Sequence, residues 1–220
     1  MSDPPPLYAL YDLETLAVSD WTAAGVASVG ITEVAVIRFH VTHCAATGQF
    51  GVRIKDRFSS LVYHPHVDAY TTHLTGITSA MTRLGRPLVE VLGVVKTLLD
   101  GCIWVGHNIT KFDNVALLGN FRRAGIEAPR WRELVDTLQV ARESLPKTLV
   151  TDHKLGTLAR HFGVSSEGAH RALVDCEMNV AVFLGLLNAF APPPPPPPSP
   201  PPPSIPSPAP VPLVKAPLSP

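Results

Sequence analysis

The sequence predicts an α/β domain, a mixed five-stranded sheet flanked by helices. Three apolar, β-branched runs open the chain before Pro65. After Pro65 the spacing becomes helical and is broken twice by short apolar runs of strand character.

In order, residues 8–13 form a short apolar run ending in acid, 31–41 are β-branched, and 52–63 alternate loosely, so the three suit an antiparallel meander. Between the first two, residues 17–30 carry small side chains and two glycines, and predict a long loop that faces the substrate. Residues 67–86 are turn-rich. Leu88, Val91, Leu92, Val95, Leu98 and Leu99 then follow i, i+3, i+4 spacing up to Gly101, which marks a helix stop. Residues 102–106 suit a buried strand. Asn108 suits the cap of a helix bearing Phe112, Val115, Ala116 and Leu118 and ending near Gly125. Residues 131–135 suit a further strand closing on Asp136 and Thr137, and helices over 138–144, 153–162 and 173–190 complete the domain.

Composition bounds the rest. Residues 192–220 hold 17 of the 24 prolines, which leaves residues 7–191 as one domain after a short extension, 1–6. The proline-rich segment predicts a disordered polyproline II tail, rising about 3.1 Å per residue. Such a tail can serve as a ligand for SH3-, WW- or profilin-like partners, or as an inert spacer. With Lys215 the tail's only charge, the domain has 17 basic and 18 acidic residues and offers no evident long track for nucleic acid. Cys44, Cys102 and Cys176 lack paired spacing and suit reduced thiols. No stretch approaches the roughly 20 apolar residues that span a bilayer, so the expected place is intracellular, cytoplasm or nucleus, without a membrane partner. The oligomeric state is open.

Four acids and one histidine carry the chemistry. Asp12 and Glu14, two apart on a strand, leave the same face and can reach one cation. Asp113 and Asp175, near the starts of helices, raise the carboxylates to four. Magnesium and manganese prefer hard oxygen ligands, and a pair of ions about 3.5–4 Å apart serves phosphoryl transfer. His170 precedes Asp175 by five positions, about 140° around an ideal helix, which places it on the entering loop. An imidazole with a pKa near about 6.5 suits proton removal from water at neutral pH.

The segments Tyr11-Asp12-Leu13-Glu14-Thr15, Gly106-His107-Asn108-Ile109-Thr110-Lys111-Phe112-Asp113 and His170-Arg171-Ala172-Leu173-Val174-Asp175, in this order, resemble the three exonuclease motifs of the DEDDh 3′-5′ exonucleases. With residues 103–109 and 154–159, they look most like the plant exonuclease-domain proteins regulated by NAC transcription factors. The resemblance covers residues 7–190 and implies an RNase H-like fold. It implies that Asp12 bridges two Mg2+ or Mn2+ ions, that Glu14, Asp175 and Asp113 complete the two sites, and that His170 is the general base. Leu13, Thr15 and Leu16 would hold the 3′ end, Asn108 and Phe112 would shape the floor, and Ile77 would be a wedge beside the terminal base. Two departures stand out: the loop over 17–30 is longer and less glycine-centred than the family's tight turn, and Met81 occupies a position that is often acidic.

Blander roles fit the remaining chemistry-bearing residues. His40, His43, Cys44, His64 and His66 lack a complementary pair for a tetrahedral metal site, His107 suits a packed residue, and Trp104, Trp131 and Phe162 suit the core. The expected function is a metal-dependent exonuclease acting on single-stranded or frayed nucleic acid and releasing nucleoside 5′-monophosphates. The alternative is a catalytically weak, exonuclease-like module that binds nucleic acid or protein and recruits partners through its tail. A phosphodiesterase of small nucleotides is the nearest enzymatic competitor.

Overall fold

A computed structural model describes residues 4–191. The expected polyproline tail over 192–220 lies outside the described residues. The elements are β1 (Tyr8–Thr15), α1 (Ala23–Ser28), β2 (Ile31–Cys44), β3 (Gln49–Leu61), α2 (Ala69–Thr75), α3 (Ser79–Thr82), α4 (Leu88–Leu99), β4 (Ile103–Gly106), α5 (Asp113–Ala124), β5 (Leu134–Asp136), α6 (Thr137–Ser144), α7 (Leu155–His161) and α8 (Ala172–Ala189). The five strands form one sheet in the order β3-β2-β1-β4-β5. β1, β2 and β3 pair antiparallel as the meander expected from sequence, while β4 runs parallel to β1 and β5 to β4.

Alternation along β1 builds a layer on each face of the sheet. Ala9, Tyr11 and Leu13 pack with Val91, Val95 and Leu117 of α4 and α5, whereas Leu10 packs with Cys176, Val180 and Phe183 of α8. β1 is therefore central and buried on both sides, with its carboxyl end at the mouth between the layers. Trp104 is fully buried and its indole N–H donates to Leu99 O at 2.8 Å, tying β4 to the end of α4. Trp131, expected in the core, is 44% exposed and only covers Trp104 from outside, ring centres 5.0 Å apart. Cys102 and Cys176 are buried free thiols and Cys44 is exposed. By length and composition alone α8 passes as long and apolar enough to cross a membrane, where the sequence reading expects no such stretch, yet it carries Asp175, Glu177, Asn179 and Asn188 and packs against β1, β2, β3 and α7.

Other differences concern short elements. The segment 17–30 contains helix α1, capped by Thr22, whose hydroxyl accepts the Gly25 N–H at 3.2 Å. Six residues cannot hold a helix alone; tertiary contact supplies the stability. The Asn120 side-chain amide donates to Val29 O at 3.0 Å, Arg123 donates to Val29 O at 3.0 Å and to Ala27 O, and Gly119 leaves the space that the Ala27 backbone fills. α2 and α3 likewise occupy the turn-rich 67–86. Strand β5 is shorter than the expected 131–135 run. Asn108 does not cap α5: its backbone is left-handed, φ 60°, and the helix begins at Asp113 after Phe112. Asn is among the few non-glycine residues that adopt this conformation readily.

Replacing Asn120 by Ala removes one of the two donors to the Val29 carbonyl and the amide oxygen that accepts from Arg123, and is expected to cost about 1–2 kcal/mol. Thermal denaturation will show this as a melting point lowered by several degrees, with loss of protection of the 17–30 amides in hydrogen exchange. An unchanged melting point would mean that α1 is not held by this bond.

Candidate active site

The two-residue spacing on β1 and the first turn of α8 meet at one point. Carboxylate oxygens of Asp12, Glu14 and Asp175 lie within 4.8 Å of one another. Asp12 and Glu14 stand on the α8 face of β1, and the packing of α8 on that face brings up Asp175. Asp113, the first residue of α5, comes from the opposite layer and stands outside this trio; it is 6% exposed, and its Oδ1 accepts the Leu13 N–H at 3.2 Å. The β1–β2 register shifts between Glu14 and Thr15, so the chain bends as it leaves the acids.

His170 precedes α8 on an exposed turn, as its spacing implies, with φ 67°. Its backbone N–H donates to Asp175 Oδ2 at 2.9 Å, fixing the turn beside the carboxylate. Arg171 then binds Glu33 through two hydrogen bonds of 3.0 and 2.7 Å, and the Ala172 N–H donates to the same carboxylate at 3.0 Å. Glu33 is only 3% exposed and faces Glu14 across the β1–β2 pair. Sequence reasoning does not single out Glu33. The β-branched run around it signals a buried strand, in which an acid needs a partner.

A second buried acid organises the other motif. Asp136 accepts the Asn108 N–H at 2.9 Å, the Thr110 N–H at 3.2 Å, the Thr110 hydroxyl at 2.6 Å and the Leu138 N–H at 3.1 Å. These bonds hold the 108–110 turn open above the end of β4. His107 packs below it, Nδ1 3.1 Å from the Thr137 hydroxyl, and burial holds its imidazole below the ordinary value.

Leu13, Thr15, Leu16 and Phe112 line a pocket of about 170 Å³ beside Glu14, together with Trp21, Tyr70 and Leu74. Asn108 instead borders a separate groove, with His107, Arg142 and Lys147. Ile77 requires correction: it is 0% exposed and cannot wedge against a base. The segment's exposed apolar groups are Leu74 and Tyr70, because the α2 turns point these outward and fold Ile77 under. Sequence reasoning also passes over Trp21. It is 74% exposed with its ring 6.1 Å from Phe112, and a tryptophan in a small, polar loop is the available signal. Asp68 pins this wall, accepting the Thr71 N–H at 2.8 Å and the Ala17 N–H at 3.2 Å; those bonds, led by Thr71, hold its carboxyl down at about 2.

Burial, then mutual repulsion, raises the acids. Glu14 is pushed up to about 8 by desolvation and by Asp175 and Glu33, with Arg171 opposing. Desolvation pushes Asp113 to about 7, against the Leu13 N–H, and moves Asp12 and Asp175 upward as well. Three converging carboxylates with hard oxygens and one neighbouring arginine fit a divalent cation of the magnesium or manganese kind. The trio is the one such cluster among the described residues; His40 is occupied by the Pro6 carbonyl at 3.0 Å, and His43 lies against Phe50.

A family model described as exonuclease, of the RNase T type, matches residues 10–183. Protein NEN3 of Arabidopsis thaliana is 32% identical over 116 residues, 53% of this chain and 22% of that protein. The PolC-type DNA polymerase III of Streptococcus thermophilus is 30% identical over 169 residues, 76% of this chain and 11% of that protein. The chain thus spans under a quarter of either relative's length. Exonuclease I of E. coli in complex with a dT13 oligonucleotide superposes with TM-score 0.65 at 18% identity, over 84% of this chain and 41% of that one, a likeness of fold.

The raised carboxyls set a pH dependence. Held above their unfolded values, near about 4, they favour the fold while protonated; that contribution is full in acid and is lost as pH rises through about 7 for Asp113 and about 8 for Glu14. In EDTA the melting point is expected to fall between pH 5 and 8, and magnesium or manganese is expected to restore it at the upper end. Asp12→Asn should flatten the profile and raise the metal-free melting point at pH 8 by roughly 2–4 °C, about 1 kcal/mol at this size. Scanning calorimetry with and without metal checks both; a flat wild-type profile would contradict the electrostatic account.

Proposed function

The chain belongs to the exonuclease family, and on that premise we propose that it is a DEDDh-type 3′-5′ exonuclease releasing nucleoside 5′-monophosphates from single-stranded or frayed ends. The observation that carries this reading is the meeting of Asp12, Glu14 and Asp175 within 4.8 Å, with His170 fixed beside them by its bond to Asp175. Asp12, Glu14 and Asp175, with Asp113 from the facing layer, would hold two Mg2+ or Mn2+ ions. Bound there, the ions supply Lewis acidity and lower the pKa of an attacking water.

The protein's own groups do the rest. The Leu13–Phe112 pocket takes the terminal nucleoside, with the Trp21 ring as a stacking platform and Leu74 as the apolar edge. This sets the last phosphodiester over the acids. The imidazole of His170, on a turn free of the helix, removes the proton from water as its oxygen bonds to phosphorus. The bond from phosphorus to the 3′-oxygen of the preceding nucleotide breaks, that oxygen is protonated, and the terminal nucleotide leaves with a 5′-phosphate. The Asp136-held turn keeps Asn108 beside the cleft, and the Glu33–Arg171 clamp holds the His170 turn. Glu33 acts as a positioning residue.

A 5′-labelled oligonucleotide in magnesium should shorten one nucleotide at a time, yielding 5′-mononucleotides, and EDTA should stop it. Asp12→Ala should abolish this, and His170→Ala should slow it about 10²- to 10⁴-fold, the range for a lost general base. No metal-dependent shortening by wild type, or equal shortening by Asp12→Ala, defeats the proposal. Matched DNA and RNA strands read the sugar preference in the same gel.

Trp21→Ala should raise KM roughly tenfold and change kcat little, since one stacked base is worth about 1–3 kcal/mol. Trp21→Phe should retain most of the affinity. Equal KM in all three proteins would remove Trp21 from the nucleoside pocket.

A further inference from the structure

We propose that a basic groove leading away from the acids binds the sugar–phosphate backbone of the strand 5′ to the bond that is cut. This inference rests on the exonuclease reading. The cleft holding Asp12, His170 and Asp175 has a volume of about 420 Å³ and is walled by Lys154 and Arg160. It adjoins a groove of about 810 Å³ that bears Arg142, Lys147 and Lys154, and His107, Lys154 and Leu155 line both. A strand leaving the acids through the cleft would pass His107, Lys154 and Leu155 into the groove. The nucleoside pocket adjoins Glu14 and the cleft adjoins Asp12, so the acids lie between pocket and cleft.

Charge singles out the ligand. Six ion pairs join side chains elsewhere among the described residues, and none involves Arg142, Lys147, Lys154 or Arg160. Arg160 donates only to the Gly156 carbonyl, at 3.2 Å. The acid at the rim, Asp152, accepts the Lys154 N–H at 3.0 Å. The wall is also fixed: His153 Nε2 lies 2.8 Å from Leu145 O, Leu149 N–H donates to Pro146 O at 2.9 Å, and Val150 is buried. Unpaired cations along a preformed groove, with aromatic platforms confined to the other side of the acids, suit phosphates gripped without reading bases. The domain's near-zero net charge conceals this local concentration.

Fluorescence anisotropy of the full chain in EDTA, with 5′-fluorescein-labelled dT12, rU12 and dT2, tests the groove by binding alone. Arg142→Ala with Lys147→Ala, both exposed and distant from the core, is expected to raise the Kd of the 12-mers about tenfold and to reduce their preference over dT2 by the same factor. The slope of log Kd against log salt should fall by about 1.4, near 0.7 for each single-strand phosphate that no longer meets a cation. Arg53→Ala with Lys55→Ala removes equal charge from β3 and should leave 12-mer binding as in wild type. An unchanged 12-mer Kd, or losses equal for 12-mer and dinucleotide, would overturn the groove. Length-dependent binding lost in the groove variant, with no cutting by wild type in magnesium, would uphold the groove and defeat the exonuclease reading; cutting with length preference intact in the variant would do the reverse.

Discussion

Carboxylates forced together out of water are the constraint on which this structure turns. Asp12, Glu14 and Asp175 meet within 4.8 Å, Asp113 stands behind them, and Glu33 lies across the strand pair from Glu14. Left to themselves, such groups would separate or take up protons. What prevents separation is packing: β1 is buried on both faces, α8 lies along one of them, and α5 closes the other. The apolar core thus acts as the spring that holds like charges at cation-binding distance. The cost is spread over the sheet and two helices, and no local bond could carry it.

Identical side chains have been divided into two kinds of work. Glu33 and Asp136 turn their oxygens inward, toward N–H groups, a hydroxyl and a guanidinium, and fix the turns that carry His170 and Asn108. Asp12, Glu14 and Asp175 keep oxygens turned toward one another. Asp113 and Asp175 do both, each with one oxygen on a backbone N–H, of Leu13 and of His170, and the carboxyl facing the other acids. A donor-saturated carboxylate holds its geometry without a cation, whereas an unsaturated one requires it. That difference separates scaffold from site more sharply than burial does, since Glu14 and Asp136 are almost equally hidden.

Much of this is legible in the sequence because it depends on period. Asp12 and Glu14 share a face because strands alternate, and Asp175 and His170 divide between helix and turn because five residues do not bring a helix back to the same side. The meander and the helices α4 and α8 follow from apolar repeats of the same kind. Features that depend on partners distant in sequence are hidden. Helix α1 exists through Asn120 and Arg123, nearly a hundred residues away. Asn108 suits a cap by residue type alone; its left-handed backbone answers to Asp136 instead. Ile77 reads as available because it follows a turn, yet that turn folds it under α2. Trp21 stays exposed because its neighbours are too small to cover it.

The pocket beside Glu14, proposed to take the terminal nucleoside, is small, about 170 Å³, and walled by Trp21, Tyr70 and Phe112. Its wall includes Phe112, the residue that leads into α5, the helix whose first residue is Asp113. On the proposed reading, this shared support makes the pocket a ruler. A room of this size beyond the acids would take one terminal unit, and an interior stretch of strand would not pass through. Exclusive attack at an end, with a step of one, would then be a matter of length measured against a fixed stop and would need no recognition of the end as such.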